Sequence, residues 1–467
     1  VDMRMVMKGS MKVCRINRFL IRKSFLSSSA DFKHHVVIIG GGTAGVGSSI
    51  QLLQNGIKLI TVIEPSPVHY YQPLWTLAGA GLQDINGSVR PMGSVLPNKA
   101  KWVQDSVVSI NPDKNQIALS KGDIVNYDYL VIACGLQLRW DKIPGLEKAL
   151  EKGDSGVCSI YTYNYCKKTR QVLSEFNGGK AIFTMPVTPI KCAGAAQKIM
   201  WLFEEQTRER GIRSKSDISY WASGASMFGV KKYSDMLEEE RVNRNIPAHF
   251  GYNLIQVDSE NKKAVFQNSK DGSTVEESYD LLHVTPPMSP PAFLSSSGVS
   301  TSSSLVDAAG WVDVDRHSLQ STSHSNVFAL GDCCNAPNTK TAAAVMAQVP
   351  VVVHNLCKLI RHPPSDSPVA LNGHYNGYGS CPLLVSKHRV ILAEFGYDGR
   401  ILETFSRTSG RFPMSFIGQD GPLQQRIFAW MKRYLFPFVY WHLYPKGLWF
   451  GTYAIFKPDV TKDSTAL

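Results

Sequence analysis

The chain has 467 residues, enough for two or three domains with separate cores, and its 43% hydrophobic, 19% charged composition is that of a globular protein. Its formal charge of +12 is unevenly placed: residues 1–30 hold seven Lys/Arg against Asp2 alone, and the mild remainder, with no known nucleic-acid module, argues against nucleic acid as a partner. Nine scattered cysteines without a CxxC pair argue against zinc, so no metal site is expected, and in a reducing compartment any pair that closes reads as catalytic rather than structural.

In chain order, residues 1–31 come first. The stretch "CRINRFLIRKSFLSSSADF" is rich in Arg and Ser, and Ile16, Phe19, Leu20 and Ile21 share a helical face. Basic residues interrupt any apolar core, so the segment reads as a mitochondrial transit peptide rather than a secretory signal. Next, "HHVVIIGGGTAGVGSSIQLLQNGIKLITVIEPS" (34–66) predicts strand, glycine turn, helix and strand. Gly40 permits the tight turn, Gly42 lets the backbone approach a pyrophosphate, and Gly45 lets helix and strand pack closely. Glu64 ends the second strand, where an acid accepts from a ribose diol. This is a dinucleotide site.

Midway, the strand "GKAIFTMP" (179–186) is followed by "VTPIKCAGAAQKIMWLFEE". A pyrophosphate here would meet Pro186 and Pro189, which have no N–H to donate, so a nicotinamide is not expected as the electron source. Cys192 stands there instead, near a helix start and beside Lys191, both of which favour thiolate. A buried cysteine acting as a small hydrophobe is the other reading. "VTPPMSPPAF" (284–293) reads as a pocket lining or a crossover loop, and "SSSGVSTSSSLVD" (295–307) as a Ser-rich loop. "NVFALGDCCNAPNTKTAAAVMAQ" (326–348) predicts a strand ending at Gly331-Asp332 and a helix starting near Thr341. "YNGYGSCPLLVSKHRVILAEF" (375–395) places Cys381 in a turn before a strand pair.

The tail, "PLQQRIFAWMKRYLFPFVYWHLYPKGLWFGTYAIF" (422–456), holds twelve aromatics between Phe428 and Phe456, with Arg426, Lys432, Arg433 and Lys446. Aromatic and basic residues together favour the headgroup interface. The longest uncharged run is twelve residues with two prolines, too short to span a bilayer. A monotopic attachment to a membrane surface fits this composition, and a core or dimer-forming helix pair is the other reading.

These segments resemble the flavoprotein superfamily with two dinucleotide-binding domains. The fold class implied is α/β, with two Rossmann-like domains (FAD/NAD(P)-binding, disulfide-reductase-like) and a C-terminal membrane-associating segment. The cofactor implied is FAD. "YDYLVIACGLQL" (127–138) is similar to a strand-turn segment of that superfamily, with Cys134 where Thr is common, and its role stays open. More narrowly, "IEPSPVHYYQPLWTLAGAG", "TPIKCAGAAQKIMW", "LLHVTPPMSPP", "GWVDVD", "GDCCNAPNTKTAAAV" and "SCPLLVSKHRVILAEF" resemble the mitochondrial sulfide:quinone oxidoreductase family, from about residue 34 to about 455. The doublet Cys333-Cys334 departs from that pattern.

The resemblance implies a redox-active pair, Cys192 and Cys381. Hydrogen sulfide attacks their disulfide, Cys381 carries the persulfide and Cys192 the flavin-facing thiolate, and two electrons pass through FAD to ubiquinone. A small acceptor, glutathione or sulfite, takes the sulfur. Implied FAD contacts are Gly40, Gly42, Thr43, Ala44, Gly45, Glu64, Gln72, Val107, Asp332, Lys340, Thr341, Ala342 and Ala343, with Lys340 offsetting charge on reduced flavin. The implied location is the mitochondrial inner membrane, peripherally, and loss of 420–467 is expected to cost quinone reduction and membrane association more than flavin binding. The implied division is transit peptide 1–31, FAD-binding domain 32–150 and 290–365, a second Rossmann-like domain 151–289 carrying Cys192, and a segment 366–467 carrying Cys381 and the tail. A type II NADH:quinone dehydrogenase is the nearest alternative; relatives that use a nicotinamide carry a second glycine motif after the strand matching 179–186, and its loss here and the two cysteines count against that alternative.

Overall fold

The computed structural model describes residues 34–295, 304–362, 369–406 and 419–461. The leader 1–31 and most of the Ser-rich stretch lie outside the described residues. Val36–Ile39 is four consecutive apolar residues, all buried, at the centre of a five-stranded parallel sheet. Its order is Val327–Ala329, Tyr129–Ile132, Val36–Ile39, Ile60–Ile63, Lys101–Val103. Val36 pairs with Ile60 on one side and Tyr129 on the other. A parallel strand covered on both faces reads as a continuous apolar run, which is what the sequence shows.

The helix Thr43–Gln54 leaves this sheet through the glycine turn and packs on the helix Ala342–Arg361. Among the described residues, Ala342–Arg361 is the one helix long and apolar enough to cross a membrane, yet 72% of that window is buried. It is a core helix.

A second five-stranded parallel sheet runs Val157–Cys158, Leu281–His283, Gly179–Met185, Ser216–Ala222, Ala248–Phe250. The helix Ala195–Glu209 follows Gly179–Met185 and lies under an antiparallel hairpin, Gly379–Ser386 and Arg389–Phe395. That packing brings the last quarter of the chain onto the start of the helix after Cys192. The α/β class with two parallel sheets agrees with the expectation.

The tail departs from the simplest reading of its prolines. Pro422–Trp430, a π-helical turn Met431–Leu435 and Phe436–His442 form one uninterrupted helical run. Pro437 offers no N–H to the carbonyl of Arg433 one turn back, and the Gln83 side-chain amide donates to that carbonyl instead at 3.2 Å. The wider π turn absorbs the ring, so the helix continues.

Candidate active site

At the front turn each glycine does distinct work. Gly40 has φ +104°, and a side chain there would collide with the Ala133 carbonyl. A side chain at Gly45 would collide with the Gly40 carbonyl, so strand and helix approach as only glycine allows. Above Gly42 lies open space, with no atom within 4 Å of where a Cβ would sit. Glu64 braces the turn: its carboxylate accepts from Gly41 N–H and Ser66 N–H, both at 2.7 Å. Thr43 and Ala44 open the helix, whose N-terminus faces the open space.

The Gly331–Cys333 turn meets this helix start, since a Cβ at Gly331 would lie 3.6 Å from that of Ala44. Burial raises the Asp332 carboxyl above its ordinary range, against the pull of Lys340 and Lys191, and its carboxylate has no hydrogen-bond partner among the described residues. Thr341 caps the next helix by accepting from Ala344 N–H, and Ala342 and Ala343 form its half-exposed first turn. An open phosphate cradle, a helix N-terminus and an orphaned acid at this distance fit a flavin dinucleotide.

Lys340 lies beside the Asp332 turn. Its ammonium donates to the carbonyls of Asp332 (2.9 Å) and Cys334 (3.1 Å) and lies 4.1 Å over the Trp311 ring. Its backbone carbonyl accepts from Cys192 N–H at 2.8 Å, so Lys340 connects the two sites through the main chain. Gln72 accepts from the Lys191 ammonium at 2.8 Å. Val107 begins a strand of a separate antiparallel sheet and has no described tie to the glycine turn.

The two cysteines, 189 residues apart in sequence, meet: their sulfurs are 3.6 Å apart. Cys192 has φ +54°, a left-handed backbone that costs an L-residue roughly 1 kcal/mol, held by the Lys340 carbonyl and by its own carbonyl accepting from Ala195 N–H. Lys198, only 2% exposed, donates to the Cys192 sulfur at 3.1 Å. Lys432, 5% exposed, comes from the π turn of the tail and faces the same pair. The Cys381 thiol and then Lys198 hold Cys192 well below the ordinary thiol range, while hydrogen bonding to Cys192 and then burial push Cys381 up. Both shifts favour negative charge on Cys192 over Cys381. Burial and then Lys198 drop Lys432 to about 7. Lys191 does not reach the sulfur; its ammonium lies over the Trp75 ring.

Space at the pair is tight. A Cβ at Gly194 would lie 2.8 Å from the Cys381 sulfur and collide with Leu383, although its φ of −84° suits any residue. Gly194→Ala is expected to push the hairpin off the Cys192 loop and cut sulfide-dependent turnover at least about tenfold, with flavin retained. Wild-type turnover, measured with visible flavin absorbance, would show that the pair tolerates the displacement.

The Cys333-Cys334 doublet is held by backbone carbonyls. Cys333 donates to the carbonyls of Ile132 and Leu330, and Cys334 to that of Gly331. Among the described residues no group of His, Cys, Asp and Glu is arranged to hold a metal.

Residues 34–175 match the family model described as pyridine nucleotide-disulphide oxidoreductase. The mitochondrial sulfide:quinone oxidoreductase of Dictyostelium discoideum is 39% identical over 435 residues, covering 92% of this chain and 89% of its own. The Mus musculus protein of the same name is 40% identical over 421 residues, 90% and 88% of the two chains. The chain belongs to the mitochondrial sulfide:quinone oxidoreductase family. FAD is the family's cofactor. In fold, the chain is similar to the sulfide:quinone oxidoreductase crystal structure from Aquifex aeolicus, with a TM-score of 0.65, 20% identity and 86% and 91% coverage.

Lys198 and Lys432 were not singled out by sequence reasoning as site residues. Lys198 had a usable signal: it is the one charge in "CAGAAQKIMWLF" (192–203), a stretch otherwise suited to burial. Composition assigns Lys432 to the headgroup layer, and the structure corrects this. Its side chain points into the protein, and its neighbour Arg433 donates to the Leu82 carbonyl.

Proposed function

We propose that the protein oxidises hydrogen sulfide and delivers the electrons to ubiquinone, with Cys192 and Cys381 as the reacting pair. The observation that carries the reading is the Cys192–Cys381 contact, with one buried lysine on the Cys192 sulfur. In the oxidised pair the better leaving group is the sulfur that bears charge more readily. That is Cys192, stabilised by Lys198. Hydrosulfide, abundant near neutral pH without a strong base, attacks the Cys381 sulfur. The S–S bond breaks, Cys192 leaves as thiolate, and Cys381 carries the new persulfide. A small nucleophile, glutathione or sulfite, then takes the outer sulfur and leaves Cys381 as thiolate. Closing the pair again releases two electrons. Bound FAD supplies the two-electron acceptor that passes them on to the quinone. Gly42, the start of the Thr43–Gln54 helix and Asp332 would hold it.

The tail supports attachment to the face of the mitochondrial inner membrane. Trp430, Tyr434 and Phe438 recur every four residues on its exposed side, joined by Leu423, Leu448, Ile455 and Phe456. Arg426, Lys446 and Lys457 are exposed beside them. Such a surface suits the lipid headgroup layer and a lipid-soluble acceptor.

The test is sulfide-dependent reduction of a short-chain ubiquinone analogue by the detergent-purified protein. One quinone reduced per sulfide, faster with sulfite or glutathione present, is expected. No reduction with any acceptor would overturn the reading.

Lys432 adds a pH signature. With its pKa near 7, it is neutral above that value and gains a positive charge beside the pair as pH falls below it. The extra charge favours the hydrosulfide and thiolate anions, so Lys432→Met is expected to slow flavin reduction by sulfide more at pH 6 than at pH 8. An equal effect at both pH values would contradict a titrating Lys432.

A further inference from the structure

The tail does more than carry the exposed aromatics. We infer that it clamps the flavin-binding turn, so that seating of the tail and binding of FAD are thermodynamically coupled. The inference rests on the flavin reading of the glycine turn and not on the identity of the electron donor or acceptor.

A chain of short hydrogen bonds joins the two. The Gly41 carbonyl lies 2.8 Å from His69 Nδ1, and a carbonyl only accepts, so Nδ1 carries the proton. His69 Nε2 then accepts from the Tyr440 hydroxyl at 2.7 Å. That uses the Tyr440 proton, so the Tyr440 oxygen accepts from the Thr43 hydroxyl, also at 2.7 Å. Burial lowers His69 to about 4, which keeps the ring neutral and the direction of the chain fixed at physiological pH. A second tyrosine of the tail, Tyr444, donates to the Thr43 carbonyl at 2.8 Å. Thr43, which opens the phosphate-facing helix, is thus held by the tail directly, and Gly41, two residues before it, through His69.

The contact extends down the helix. Gly47 leaves no room for a side chain because Tyr444 occupies that space. Gln54, at the far end, donates to the Lys446 carbonyl at 3.0 Å. The Tyr440 ring packs on Tyr71 with centroids 4.3 Å apart. A glycine-rich turn loses more backbone freedom on ordering than other sequences. A tail that has already ordered the turn lowers that cost for FAD, and FAD must favour the seated tail by the same factor. The sequence reading has loss of 420–467 cost flavin binding less than quinone reduction and membrane association; with this coupling, flavin binding is weakened as well.

The experiment uses the full chain in detergent, without sulfide or quinone. Flavin-stripped and FAD-loaded samples are subjected to limited proteolysis, and FAD affinity is read from the quenching of its fluorescence. FAD is expected to slow cleavage within 420–461 about tenfold. Gly47→Ala, which displaces Tyr444 without touching the turn, and Tyr440→Phe, which keeps the ring and removes the hydroxyl, are each expected to weaken FAD binding about 5- to 10-fold. Both are also expected to shrink the protection of the tail. Equal cleavage with and without FAD would overturn the coupling. So would a Gly47→Ala protein whose tail is freed while its FAD affinity stays at the wild-type value. If Gly47→Ala does not fold, wild-type affinity and protection in Tyr440→Phe overturn it alone.

Discussion

Replacing either Cys192 or Cys381 with serine is expected to abolish sulfide-dependent quinone reduction, by at least roughly three orders of magnitude, with FAD still bound. The hydroxyl fills the thiol's place but forms no disulfide, so hydrosulfide meets no sulfur electrophile. The two sulfurs act as one unit 3.6 Å apart, so the double variant should be no worse than either single one. Flavin content, read from visible absorbance, separates loss of chemistry from loss of the cofactor. Turnover retained in either variant would eliminate the paired mechanism.

The next largest effect is expected at Lys198. It donates 3.1 Å to the Cys192 sulfur from a buried position, where no water replaces it. Lys198→Met keeps much of the stem and removes the charge. A charge-assisted hydrogen bond of roughly 1.5–3 kcal/mol corresponds to a rate loss of about 10- to 100-fold in the step that expels the Cys192 thiolate. The sign is fixed by which form the ammonium stabilises. Lys198 favours the thiolate, so its removal raises the Cys192 pKa. The alkylation rate of Cys192 should then climb at higher pH than in the wild type. An unshifted alkylation profile would mean that Lys198 only packs, and the assignment of Cys192 as leaving group would fall with it.

The parts legible in the sequence are those where chemistry demands a residue type at fixed local spacing. The glycine turn is of that kind: Gly40 and Gly45 are required by close backbone approach, and the strand before and the helix after are marked by their apolar periods. The Cys192–Cys381 contact is of another kind. It is made by a hairpin folding over a helix across 189 residues, and only the family resemblance pointed to it.

Lys198 and Lys432 were harder for a related reason. A lysine in a helix reads as solvated until a neighbour covers it, and the covering elements come from distant parts of the chain. Trp430 and Tyr434, four residues apart, face outward, and Lys432 midway between them points inward. Helical counting places Lys432 opposite the exposed aromatics, and the basic, aromatic-rich composition of the stretch masks that.

The tyrosines of the tail teach the same lesson. Tyr440 and Tyr444 read as interfacial aromatics by composition, yet both are buried and their hydroxyls end on Thr43. The tail has two faces with different duties, and composition averages over them.

The most direct test of the central claim is anaerobic. The detergent-purified holoprotein receives sulfide in one cuvette and NADH in another, and the visible flavin absorbance is followed in each. Rapid bleaching by sulfide, reversed by a ubiquinone analogue, with no response to NADH, is the predicted result. Bleaching by NADH with none by sulfide would contradict the account, since it would place electron entry elsewhere than at Cys192 and Cys381.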